Sequence, residues 1–103
     1  MESAPAEREL RVYTVRPGEM DAWLAEWREK IRPLREKLGF RVVEVWTSAG
    51  GDRFIWLLEY AGAESFDAAD AAYYSSAERK SIQPDPARHL LNTEHHRLKP
   101  VRG

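Results

Sequence analysis

Three histidines, His89, His95 and His96, lie in or beside the last alternating segment of the chain. Imidazole titrates near neutrality, so each is a candidate general base. Neighbours in a strand point to opposite faces, so His95 and His96 cannot ligate one metal from a regular strand. At roughly 3.3 Å per residue, His89 would stand about 20 Å from His95. No metal is expected, and a solvated or interface histidine is the plainer reading. Near the other end Glu9, Arg11 and Tyr13 recur every second residue, which places them on one strand face. The row can wall a pocket, with Arg11 anchoring an anion or carbonyl, Tyr13 donating a hydrogen bond and Glu9 orienting or accepting a proton. It can equally be an interface ion pair beside a core tyrosine. The catalytic candidates are therefore His95, His96 and Glu9, and the first ligand-binding candidates are Arg11 and Tyr13.

The aromatic residues extend this set. Four tryptophans in 103 residues is a high count for so short a chain. Trp23 and Trp27 lie at helical spacing and are expected in the core. Trp46 and Trp56 lie on adjacent apolar segments, on opposite faces of a hairpin, and either can line a ligand cavity instead. Tyr73 and Tyr74 end a helix, where only one faces inward, and its hydroxyl needs a ligand or a carbonyl as partner. Glu44 and Glu59 are expected on the Trp46 face. There they form either a proton-sharing pair or a salt bridge to an arginine.

Composition removes other chemistries. The chain has no cysteine, which excludes disulfides, thiolate nucleophiles and cysteine-ligated metals. Lys+Arg 16 against Asp+Glu 17 leaves a net charge of -1, not the clustered positive charge that nucleic acid requires. No apolar run approaches the roughly 20 residues that span a bilayer. The opening residues lack a secretory apolar core, so a cytoplasmic location and no membrane partner are expected. Gly50-Gly51 precedes a strand rather than a helix and is no phosphate loop.

The elements that must position these residues follow from periodicity. Residues 1–8 read as a disordered lead-in and residues 9–103 as one domain. Glu9–Arg16 is strand-like and Pro17-Gly18 stops it. Met20, Trp23, Leu24, Trp27, Ile31, Leu34 and Leu38 form one helical stripe over 19–38, with a kink expected near Pro33 and Gly39 suited to the helix end. Phe40–Thr47 and Arg53–Tyr60 read as a hairpin about Gly50-Gly51. A two-residue turn there sets Val45 against Trp56, Trp46 against Ile55, Glu44 against Leu57 and Glu59 against Val42. A helix follows over 63–74 with Ser65 as a possible cap. Ser75-Ser76-Ala77-Glu78 fits a capping box for a short helix, Asp85-Pro86 can start one more turn, and His89–Lys99 is a last strand.

Strand, helix, strand, strand, helix, strand is the order of a ferredoxin-like α+β sandwich. Two helices cover one face of its antiparallel sheet. The second and third strands are nevertheless apolar on both faces, so a second copy of the chain is expected against the open face.

Glu9–Gly18, Ile31-Arg32-Pro33-Leu34, Gly39–Val43, Asp52–Leu57 and Tyr73–Ser76 resemble segments of NIPSNAP-type proteins of the dimeric α/β-barrel superfamily. The likeness covers about residues 9–99. Arg79 departs from it, standing where similar proteins carry an aromatic residue. The resemblance implies a homodimeric barrel, often with a small-molecule pocket between sheet and helices. The wider superfamily includes cofactor-independent monooxygenases, polyketide cyclases, dehydratases and haem-dependent enzymes. Haem-degrading relatives use a histidine near the second helix, and residues 63–83 contain none, so no cofactor is expected. The expected role is binding of a small apolar or aromatic molecule. The alternative is a cofactor-independent enzyme (monooxygenase, cyclase or dehydratase) acting on a polyketide-like or aromatic substrate.

Overall fold

A computed structural model describes residues 6–101. The chain order is β1 (Glu7–Val15), α1 (Met20–Glu26), a π-helical turn (Trp27–Ile31), α2 (Arg32–Lys37), β2 (Phe40–Thr47), β3 (Arg53–Tyr60), α3 (Phe66–Ser75), α4 (Ala77–Lys80), a 3-10 turn (Pro86–His89) and β4 (Leu90–Leu98). The four strands form one antiparallel sheet in the order β2-β3-β1-β4. This is the ferredoxin-like α+β arrangement. β1 begins at Glu7, two residues before the expected start of the domain, and residues 1–5 of the expected lead-in lie outside the described residues.

The long first helix bends where the sequence places Pro33, and the bend takes a definite form. The Arg32 N–H reaches back to the Trp27 carbonyl, five residues earlier, in a π turn just before the proline. Pro33 has no N–H to return to the preceding turn, so the ladder loosens there. Trp23, Trp27, Ile31 and Arg35 repeat at strict four-residue spacing. On a regular helix such a row drifts by about 40° per step. Here all four are at most 5% exposed, because the wider turn takes up the drift. Gly39, at φ 96°, ends the helix in the left-handed region.

Val45 faces Trp56, Trp46 faces Ile55 and Glu44 faces Leu57, as expected. The loop is longer than two residues, since the Ser48 N–H donates to the Arg53 carbonyl and residues 49–52 lie beyond that pair. Farther along, a bulge between Val42 and Glu44 shifts the register. Glu59 therefore faces Arg41, not Val42. It accepts from Arg41 at 3.0 Å and Arg8 at 2.8 Å, which is the salt-bridge alternative and not a carboxylate pair.

Alternation on β3 buries Phe54, Trp56 and Leu58 against the helices and leaves Ile55 and Leu57 half-covered on the far face. Trp27 meets Trp56 edge-on at 5.5 Å, and Trp23 meets Phe54 at 5.5 Å. Such pairs each contribute about 0.5–1.5 kcal/mol beyond the area they bury.

Ser65 caps α3, accepting from the Ala68 N–H. The cap of α4 is Ser76, accepting from Arg79, because Ser75 still belongs to α3; the expected box of Ser75 and Glu78 is thus displaced by one residue. His89 also differs from expectation. It lies in the 3-10 turn rather than in β4 and is buried. Its Nδ1 lies 2.7 Å from Glu19 and its Nε2 2.8 Å from Glu26, while Arg88 holds Glu26 through two bonds of 2.8 Å. Both ring nitrogens can donate only in the imidazolium. Hydrogen bonds to Glu26 and Glu19 accordingly raise its pKa. This clamp ties both ends of α1 to the entry of β4.

Candidate functional site

The helix-facing side of β1 and β4 carries a polar group inside the aromatic core. Glu9, Arg11 and Tyr13 stand on this face of β1, all at most 6% exposed. β4 sets Arg97 beside Glu9, His95 beside Arg11 and Thr93 beside Tyr13. From the helices above come Arg35 of α2, Asp70, Tyr73 and Tyr74 of α3, and Arg79 of α4.

Arg11 is the hub. Its Nε donates to Glu9 at 2.9 Å, its Nη2 to Asp70 at 2.8 Å, and its Nη1 to the hydroxyls of Tyr74 at 3.2 Å and Tyr13 at 3.4 Å. Arg35 donates to the same Asp70 oxygen at 2.7 Å, and its guanidinium lies 3.6 Å from the centre of the Tyr73 ring. Glu9 also accepts from Arg97 at 3.3 Å. With its donors committed to neighbours, Arg11 organises the site from behind its wall.

Beside this network lies a cavity of about 160 Å³. Trp23, Ile31 and Trp56 supply much of its apolar wall, and Tyr13, Arg35, Tyr73, Tyr74, Arg79 and His95 its polar one. A second cleft shares Tyr74, Arg79 and Ala87 with it, under the loop that carries Asp85. Burial, then the nearby Tyr74, pushes the Tyr13 pKa up to about 12, so its hydroxyl keeps its proton. Burial likewise raises Tyr73. His95 moves the other way: burial and then the Arg11 charge lower its pKa, which favours neutral imidazole. Its Nδ1 stands 3.7 Å from Glu9 Oε1, beyond hydrogen-bond length.

The expected residues divide between the two faces. Tyr13, Trp56, Tyr73, Tyr74 and His95 line the cavity, with Glu9 and Arg11 behind. Both tyrosines at the end of α3 reach it, although Tyr74 is 44% exposed, because its hydroxyl leans onto Arg11. His96 faces the other side of the sheet opposite Leu10, with Nε2 3.5 Å from Glu94. Trp46 is 45% exposed at the β2 edge and borders a shallow groove with Leu24, Trp27 and Arg28. Neither comes to the cavity. Arg35, Asp70 and Thr93 belong to the site without having been singled out by sequence. For Arg35 a signal existed in the four-residue row it completes, and for Asp70 in its position one turn before Tyr74.

The sheet order and the two-layer packing define an α+β sandwich of ferredoxin-like form with its cavity between the layers. The NIPSNAP family model matches residues 8–102, and the chain belongs to that family. Among solved structures it is similar to a NIPSNAP family protein from Agrobacterium tumefaciens, at 19% identity and TM-score 0.80, covering 98% of this chain and 90% of that one. A second from the same organism, of unknown function, gives 15% identity and TM-score 0.82, covering 99% and 96%. A candidate antibiotic biosynthesis monooxygenase from Nitrosomonas europaea gives 13% identity and TM-score 0.71, covering 98% and 95%. At these identities the likeness concerns the fold. No curated protein matches the chain significantly. Among the described residues no helix is long and apolar enough to cross a membrane.

Proposed function

We propose that this chain is a homodimeric binding protein that takes a small apolar or aromatic molecule into the cavity between sheet and helices. The observation that carries the reading is the cavity itself, about 160 Å³ walled by Trp23, Trp56 and Ile31 with polar groups converging on one side. Ligand sites have this makeup: a mostly apolar lining and a few placed polar groups. The dimer is supported by the far face of the sheet. Leu10, Val12, Ile55 and Leu57 are only half-covered there, and Trp46 and Leu98 are 45% and 41% exposed. An apolar patch of this kind favours an isologous, sheet-to-sheet partner. The expected compartment is the cytoplasm, which fractionation of the tagged chain tests. Thermal-shift screening with single-ring aromatic compounds tests the binding. Stabilisation by several of them is expected, and a flat profile across the set rejects the reading.

A second reading, cofactor-independent catalysis, is favoured by one observation: His95 meets the cavity with a pKa below the ordinary histidine value. A neutral imidazole there can accept a proton from a bound carbon acid. The electron pair of the broken C–H bond then moves onto the substrate's carbonyl oxygen, to which the Tyr13 hydroxyl donates. Turnover of a stabilising compound is the test, with His95→Ala and His96→Ala compared. Loss in His95→Ala alone supports this reading. Equal activity in both removes His95 as the base.

A further inference from the structure

We propose that the ligand of this cavity is a single-ring carboxylate or an equivalent small planar anion, with Arg35 and Arg79 holding its charged end. The inference rests on the binding reading above and gives it a chemical class. Among the described residues no aspartate or glutamate lines the cavity, whereas two arginines do. Among the described residues six buried side-chain polar atoms have no hydrogen-bond partner. Five of them belong to residues of this lining: Trp23 Nε1, Trp56 Nε1, Arg35 Nε, Arg79 Nε and the Tyr73 hydroxyl. Four can only donate, and the fifth can donate. These atoms are buried behind the cavity surface, and lining residues so rich in unused donors favour an acceptor group beside them.

The two cations are also underused. Arg35, 1% exposed, commits a single hydrogen bond among the described residues, to an Asp70 oxygen that it shares with Arg11. Arg79, 8% exposed, gives a single side-chain bond among the described residues, to Asp85 at 2.9 Å. A guanidinium offers five N–H groups in a fork that suits a carboxylate. Both guanidiniums stand within 6.0 Å of the Tyr73 and Tyr74 ring centres, so the positive charge collects at one end. Trp23, Trp56, Ile31 and Leu90 make the remainder apolar. The volume of about 160 Å³ fits one ring, since an apolar cavity of about 150 Å³ is known to hold benzene.

Calorimetric titration of the full chain with benzoate, toluene and 2-naphthoate tests this. Benzoate is expected to bind at least about tenfold tighter than toluene, and naphthoate not to bind. Arg79→Met should weaken benzoate about tenfold and leave toluene within about twofold. If Arg79→Met does not fold, Tyr73→Phe makes the same comparison, because it removes only a hydroxyl. Benzoate should weaken severalfold in it while toluene holds. Equal affinities for benzoate and toluene would overturn the anion while leaving an apolar site standing. Naphthoate binding as tightly as benzoate would overturn the single-ring limit. If none of the three binds, the binding reading itself fails and takes this inference with it.

Discussion

Arg11 of β1 and Arg35 of α2 donate to one and the same oxygen of Asp70, at 2.8 and 2.7 Å. That oxygen joins the sheet, the first helical layer and α3 at a single point inside the core. Two guanidiniums at most 1% exposed would be costly in an apolar setting if either lost its acceptor. Arg11→Met should therefore destabilise the fold by about 3 kcal/mol, because Glu9 and Asp70 are left without their central partner. Urea denaturation measures this. Asp70→Asn in the Arg11→Met background should cost less than it does alone, and strict additivity would show that the two residues act independently.

Histidine titration should separate two sites. The His95 resonance is expected to titrate below the ordinary value of about 6.5, as burial and Arg11 disfavour its charge. His89 should titrate above it, held by Glu26 and Glu19. Proton NMR across pH 4–9 (a range of about five units chosen to bracket both) reads the two curves. Coincident midpoints would contradict the clamp at one site and the desolvation at the other.

The His89 clamp carries a pH dependence of defined sign. A histidine whose pKa is higher in the folded state stabilises fully below its unfolded value, and that contribution falls as pH rises through the folded pKa. The groups facing it are Glu19 and Glu26 of the first helix layer and the neighbouring Arg88. The Tm difference between the native chain and His89→Gln should be largest below about pH 6.5 and shrink at alkaline pH. A difference that grows with pH would refute the charged clamp.

Leu57 lies mid-strand on the open side of β3, opposite Leu10 and Glu44. Leu57→Glu should change the proposed dimer into a monomer at micromolar concentration with little loss of secondary structure, since among the described residues no helix packs on that side. Sedimentation velocity gives the mass, and circular dichroism the fold. A native chain that already sediments as a monomer would remove the dimer.

Much of this was legible in the chain. The two-residue alternation of Glu9, Arg11 and Tyr13 gave their common face, and the hairpin register set Trp46 and Trp56 on opposite faces without fixing which one meets the helices. What stayed hidden depended on local irregularity. A bulge at Val43 moved Glu59 from Val42 to Arg41, and such an insertion has no periodic signature. His89 looked like a strand residue because nothing in its own neighbourhood announces Glu19 and Glu26, seventy and sixty-three positions away. The pairing of Asp70 has no local signature for the same reason, its arginines lying on two other elements.

Arg35 reaches the cavity only because the turn from Trp27 to Ile31 is overwide. Were the same residues wound at an even 3.6 per turn, everything beyond that point would swivel by up to about 100° and carry the guanidinium off the sheet. On the proposed binding role, ligand choice is encoded partly in how a helix is coiled, and a proline outside the cavity lining helps decide which guest is welcome.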